Sequence, residues 1–176
     1  MPFLQTMQAY FRGERLEALF YIGPAGLLLW ALALTALKAD RGGFGWGLAV
    51  PWFVFGLVLV GVGSGVGFRT PSQLEALEKD YAASPRAMVE KELPRMRQVN
   101  RMWPIYLSVW AGLVVVGTLL RFALKADWAH GVGPALVLVG AFGYLIDGFA
   151  ERRARPYTEA LEQMAKEQGV QESSAP

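Results

Sequence analysis

Four stretches of the chain are almost unbroken apolar sequence: residues 18–37, 46–68, 102–120 and 128–146. Each is close to the ~20 residues that an α-helix needs to cross a ~30 Å hydrocarbon layer. A soluble helix of this length carries a polar stripe at three- and four-residue spacing, and these runs carry none. The polar positions collect between and outside them. The pattern predicts an all-α integral membrane four-helix bundle: a transmembrane hairpin over 18–68, a hydrophilic segment over 69–101 and a second hairpin over 102–150. Residues 1–17 and 151–176 flank them.

The polar segments have a helical period of their own. Phe3, Leu4, Met7, Tyr10 and Phe11 recur every three or four positions opposite Gln5 and Gln8, which predicts an interfacial helix that Gly13 ends. Thr70-Pro71-Ser72-Gln73 has the form of a capping box, so a new helix is expected to start there, with Leu74, Leu77 and Tyr81 as its apolar stripe. Ser84-Pro85 restarts a helix and Pro94 bends or restarts it. These read as two short amphipathic helices lying on the membrane surface. Residues 156–167 read as a charged helix, and the chain from Gly169 as a disordered tail. Ala31-Leu32-Ala33 resembles a signal cleavage site, but the apolar core around it exceeds the usual ~7–15 residues, so the first run is read as a retained span.

Glycine is concentrated in the second run. Gly61 and Gly65 share one helix face, and Gly63 and Gly67 share another about 200° away. Small-xxx-small spacing on both sides predicts close packing of this helix against two neighbours. The same GVGSGVG stretch lacks the preceding strand and the spacing of a dinucleotide fingerprint. An unwound ion site is its functional alternative.

The chain also resembles itself. Ala36-Leu37-Lys38-Ala39-Asp40 recurs as Ala123-Leu124-Lys125-Ala126-Asp127, and shorter matches precede and follow it in order: Ala25-Gly26-Leu27 with Ala111-Gly112-Leu113, and Glu75-Ala76-Leu77-Glu78 with Glu159-Ala160-Leu161-Glu162. This predicts two duplicated hairpins in parallel orientation, each followed by an amphipathic cytoplasmic helix.

Composition agrees with a membrane protein: 53% of residues are hydrophobic and 18% charged, against about a quarter charged in soluble domains. The net charge of +2 gives no basic face for nucleic acid. Its distribution says more. Thirteen basic residues lie in the two flanks and the central segment, and four, Lys38, Arg41, Arg121 and Lys125, lie in the two hairpin loops. Positive charge stays inside, which puts both termini and the central segment in the cytoplasm.

Candidate chemistry is sparse. The absence of cysteine excludes disulfides, thiolate metal sites and cysteine nucleophiles. His130 is the only histidine, too few for a bis-histidine haem or a zinc cluster, and it reads as a wetted side chain beside Trp128. Ser64, Ser108 and Thr118 have no base at a suggestive spacing. No catalytic, cofactor or metal site is expected, and no enzymatic activity. Carboxylates that an apolar run nearly encloses are costly unless paired. Asp147 and Glu17 are therefore the functional candidates, with Arg15, Arg69, Arg101 or Arg152 as their expected partners.

Tyr10-Phe11-x-Gly13-Glu14-Arg15-Leu16-Glu17, Phe68-Arg69-Thr70 and Glu92-x-Pro94-Arg95-Met96 together resemble a group of uncharacterised bacterial four-span membrane proteins. The resemblance implies a bacterial inner membrane and brings no activity. The sequence thus leads to an interaction or accessory protein acting through its cytoplasmic face, with membrane lipids, a second copy or another membrane protein as partners. The alternative is a small oligomeric transporter or channel using the glycine-rich second span and Asp147. A third and lesser reading is a lipid-site enzyme using interfacial carboxylates.

Overall fold

In a computed structural model, residues 3–170 are described, and among them every regular element is a helix. The order is α1 (Phe3–Glu17), a π-helical turn (Ala18–Ile22), α2 (Gly23–Ala39), α3 (Gly43–Ala83), α4 (Pro85–Ala123) and α5 (Asp127–Glu167). Four helical segments are long and apolar enough to cross a membrane: Phe3–Ala39, Gly43–Ala83, Pro85–Ala123 and Asp127–Glu167. That is the pattern of a multi-pass membrane protein. At 1.5 Å per residue a 41-residue helix such as α3 is ~61 Å long, twice a ~30 Å hydrocarbon layer. Each long helix therefore has an apolar half and a half that continues beyond it.

The apolar halves are joined by glycine. They lie in the order α2–α3–α5–α4, so α3 and α5 hold the middle. A Cβ on Gly26 would stand 2.6 Å from the Gly56 carbonyl, and one on Gly117 would stand 2.5 Å from that of Gly133. Gly47 and Gly131 bring the backbones of α3 and α5 into direct contact. In an apolar solvent helices gain little from burying apolar surface, so close backbone approach supplies the packing.

The other halves pack as a soluble bundle does. Met7, Tyr10 and Phe11 of α1, Leu77 of α3, Met88, Val89 and Met96 of α4, and Tyr157 and Leu161 of α5 form one buried core. This corrects the expectation of helices lying on a membrane surface. Helix α3 runs unbroken through Thr70-Pro71, and α4 runs unbroken through Pro94. Thr70 is no cap: its hydroxyl donates to the Val66 carbonyl at 2.7 Å and to Glu14 at 3.2 Å. The buried positions Gly63, Gly67, Thr70 and Leu77 keep one helical face, so unbroken α3 buries that face from membrane to core. Pro71 and Pro94 sit on exposed faces, where a ring replaces an N–H at least cost to packing.

Gly13 does not end α1 either. It lies beneath the Arg153 side chain, whose Cδ would be 2.5 Å from a Cβ at that position. The π-helical turn succeeds α1 without a break and stands directly ahead of Pro24. A proline ring collides with the carbonyl four residues back, and a widened turn moves that carbonyl aside.

The turns are set by polar side chains. Asp40 accepts from the N–H groups of Gly42 at 2.7 Å and Gly45 at 3.0 Å at the start of α3. The Ser84 hydroxyl caps α4 by accepting from the Ala87 N–H at 3.3 Å, with Pro85 in the first turn, as the sequence predicts. The two identical pentapeptides occupy different places: Ala36 to Ala39 close α2, whereas Leu124 to Ala126 form the loop before α5. Helix α5 ends in a Schellman motif, with Gly169 at φ 62° and the Val170 N–H bonded to the Ala165 carbonyl. Val170 packs on the core, so Gly169 and Val170 belong to the cap. The remainder of the expected tail, residues 171–176, lies outside the described residues.

Candidate functional site

The chemistry-bearing residues gather where the apolar halves meet the bundle. The Arg153 guanidinium donates to the Glu17 carboxylate in a short ion pair that ties α5 to the end of α1. Thr70 ties α3 to Glu14 of α1, and Asn100 of α4 donates to Thr158 of α5 at 2.9 Å. These three contacts fix the relative heights of the helices. At 1.5 Å per residue, Arg12, Arg15, Arg69, Arg101, Arg152, Arg153 and Arg155 then fall within a belt ~10 Å deep. Three carboxylates share that belt: Glu14, Glu17 and Glu151.

The pairing inside the belt differs from the sequence expectation. Glu17 is buried and takes Arg153, not Arg15, Arg69, Arg101 or Arg152. Arg155 takes Glu151 at 2.5 Å. Arg12, Arg15, Arg69, Arg101 and Arg152 are exposed and have no carboxylate partner among the described residues. Farther from the apolar half the arginines are paired: Arg86 with Glu90, Arg95 with Glu92, and Arg97 with Glu162.

Asp147 lies about one turn below the belt on α5. Its carboxylate accepts from the Trp110 indole N–H of α4 at 2.5 Å, and no arginine reaches it among the described residues. The expected cationic partner is thus an indole. Spacing along one helix cannot reveal this, because the partner is 37 residues away on a neighbouring helix. Trp110 in turn packs its ring against Gly143, where a Cβ would stand 2.5 Å from the ring.

The four glycines expected to pack divide into two pairs. Gly63 and Gly67 pack: a Cβ on Gly63 would stand 2.6 Å from the Gly23 nitrogen and 2.8 Å from the Ala18 carbonyl of the π turn. Gly67 meets Leu19. Gly61 and Gly65 meet nothing within 4 Å and face outward, so this stretch of α3 packs on one glycine face, toward the π turn and α2, while the contact of α3 with α5 is made farther along by Gly47.

A cleft of about 470 Å³ between α1 and α3, lined by Arg12, Arg15, Thr70 and Glu75, adjoins this region, and so do two further cavities. One of about 120 Å³ lies between the hairpins, walled by apolar side chains that include Leu29, Phe55, Trp110 and Val139. The other, about 470 Å³, is a groove between α1 with its π turn and α5, lined by Leu16, Tyr21, Phe149 and Arg153.

In the bundle core a polar network goes beyond what the sequence suggested. Glu92, buried at 3% exposure, accepts two bonds from Arg95 at 2.6 and 2.8 Å and one from the Tyr157 hydroxyl at 3.2 Å. The Glu92 bonds push the Arg95 guanidinium above its ordinary range. Burial raises the Tyr157 phenol, and Tyr10, stacked on it at 4.9 Å, is pushed up to about 12, mainly by burial. A buried carboxylate fully satisfied by a bidentate arginine and a phenol fixes how α4 and α5 meet.

Among the described residues no group of histidines and carboxylates could hold a metal ion. His130 Nε2 stands 2.8 Å from the Leu124 carbonyl across the α4–α5 turn. The hydroxyls of Ser108 and Thr118 donate to their own helix, at 2.6 and 2.7 Å. Comparison with known protein families, curated proteins and solved structures finds no match.

Proposed function

We propose that this is an accessory or interaction protein of the bacterial inner membrane whose working surface is the bundle formed by α1 and the outer halves of α3, α4 and α5. The observation that carries the reading is the contrast between the two halves. The largest fully buried side chains, among them Tyr157, Phe11, Met7, Met88 and Met96, all lie in the bundle. A chain needing only to cross a bilayer has no use for such a core; a chain presenting a shaped surface does. The thirteen-to-four bias of basic residues supports a cytoplasmic bundle and cytoplasmic termini. The bacterial membrane rests on the resemblance, and the three ordered sequence matches support a duplication whose copies have diverged at their turns.

A transport reading has less behind it. It asks for a polar path, and the cavity between the hairpins is walled by apolar side chains, with Gly61 and Gly65 turned away from it. A photo-crosslinking residue placed in living cells at Arg86 or Glu90, on the exposed bundle surface, should give a discrete protein adduct. The same probe at Leu119 or Phe122, near the opposite end of α4, should give none. Absent adducts at all four sites, together with solute flux in proteoliposomes that Asp147→Asn abolishes, would replace the accessory role with transport.

A further inference from the structure

The end of the molecule opposite the bundle carries four basic residues, Lys38, Arg41, Arg121 and Lys125, and two acids, Asp40 and Asp127. Two of the four cations converge on one pocket. A recess of about 430 Å³ lies between the end of α2 and the start of α3, lined by Leu34, Leu37, Lys38, Arg41 and Trp46. Its size falls within the ~300–1,000 Å³ of small-ligand sites. Gly45 lets the first turn of α3 lie against the Ala36 and Asp40 carbonyls, so Trp46, the next residue, shares the recess with Leu37.

The recess is graded in polarity along the chain. Leu34 lies one turn, ~6 Å, deeper into the apolar half than Lys38, and Arg41 follows just past the end of α2. Leu34, Trp46 and both cations are exposed. A tryptophan at the boundary of an apolar span belongs at headgroup level, which puts the cations where phosphates lie and Leu34 where acyl chains begin. Neither cation has a carboxylate partner among the described residues. No acid lines the recess. Asp40, between the two cations in sequence, is turned to the N–H groups of Gly42 and Gly45 at 2.7 and 3.0 Å, and Asp127 lies against Gly43 at the start of α5. An ammonium and a guanidinium fork are the side-chain groups that bind phosphate oxygens, and here both line one recess that holds no acid.

We infer that this recess binds the headgroup of one anionic phospholipid, with its phosphate between Lys38 and Arg41 and the top of an acyl chain along Leu34, Leu37 and Trp46. The apolar wall selects a lipid over a soluble phosphate, and the two cations select a net negative lipid over a zwitterionic one. The site rests on the apolar helices crossing a bilayer and not on the accessory role or the orientation, so it stands or falls separately from both.

The test uses the full chain in a nonionic detergent, with its tryptophans replaced by 5-fluorotryptophan. The fluorine signal of Trp46 is the one missing from Trp46→Phe. Titration with phosphatidylglycerol or phosphatidylcholine carrying identical acyl chains should shift that signal saturably, with half-saturation at about tenfold less phosphatidylglycerol than phosphatidylcholine. Lys38→Gln combined with Arg41→Gln, both at exposed positions, should reduce the preference to about twofold or less while leaving thermal unfolding unchanged. Arg12→Gln combined with Arg15→Gln, at the opposite end of the span, should leave the preference at Trp46 intact. Glycerol phosphate without acyl chains, at the concentration that saturates the response to phosphatidylglycerol, should leave the signal in place. Three of these measurements can overturn the inference without the Lys38 and Arg41 variant: equal affinity for the two lipids in the wild type, loss of the preference in the Arg12 and Arg15 variant, and saturation by glycerol phosphate. A preference that survives in the Lys38 and Arg41 variant would overturn it as well.

Discussion

Gly63 shows how one missing side chain decides a contact. Its Cα faces the π turn so closely that a Cβ would fall 2.6 Å from one backbone atom and 2.8 Å from another, and backbone cannot step aside. Gly63→Leu should therefore lower stability in detergent by about 2 kcal/mol or more, read as a drop in the thermal midpoint. Gly61→Leu and Gly65→Leu should stay within about 0.5 kcal/mol of wild type, because nothing stands within 4 Å of either glycine. A loss at Gly61 as large as that at Gly63 would mean that a second copy covers this face in the membrane. The sequence showed both glycine pairs and could not rank them. Spacing tells which residues share a face, and only the neighbouring helix tells which face is covered.

At the scale of the element, α1 is the clearest departure from the sequence reading. Its stripe of Met7, Tyr10 and Phe11 is visible in the sequence, and an apolar stripe fits a lipid surface as well as a protein core. The structure gives it to the core, where Tyr10 stacks on Tyr157 and meets Phe11 edge-on at 5.0 Å. Burial is the main cause of the rise of Tyr10 from 10.0 to about 12; Glu14 adds to it, and Arg95 and Arg153 oppose it. A raised phenol keeps its proton in the folded state after the unfolded chain has lost it. Its contribution is thus whole below pH 10 and declines as pH rises toward 12, by up to about 3 kcal/mol. Thermal unfolding between pH 8 and 12 should show a steeper alkaline loss for the wild type than for Tyr10→Phe. Parallel curves would mean that Tyr10 is solvated and α1 undocked. The unbroken course of α3 and α4 belongs to this scale too. Thr70-Pro71 and Pro94 carry real start signals, which a continuous buried face overrode.

For the whole molecule, the decisive quantity is length: helices of 39 to 41 residues are long enough to cross a bilayer and still have enough chain to build a bundle on one side of it. The proposed orientation, with that side in the cytoplasm, rests on the basic bias of the sequence. Cysteines introduced singly at Gly43 and His130 should react with an impermeant thiol reagent added outside intact cells, and one at Ala82 should not. Labelling at position 82 with protection at 43 would invert the orientation. By itself the sequence determined the four runs long and apolar enough to span, the Ser84-Pro85 restart and the helical character of residues 3–17, 69–101 and 156–167. Those features come from hydrophobic period and length, which are local properties of a chain in water or lipid. Tertiary structure alone decided that the polar segments are continuations of the spans, that Glu17 takes Arg153, that Asp147 takes Trp110 and that five arginines are left without an acid among the described residues. Each of those depends on which helix faces which at a given height. That is set by glycine contacts and core packing between residues far apart in the chain, and no period along a single helix contains it.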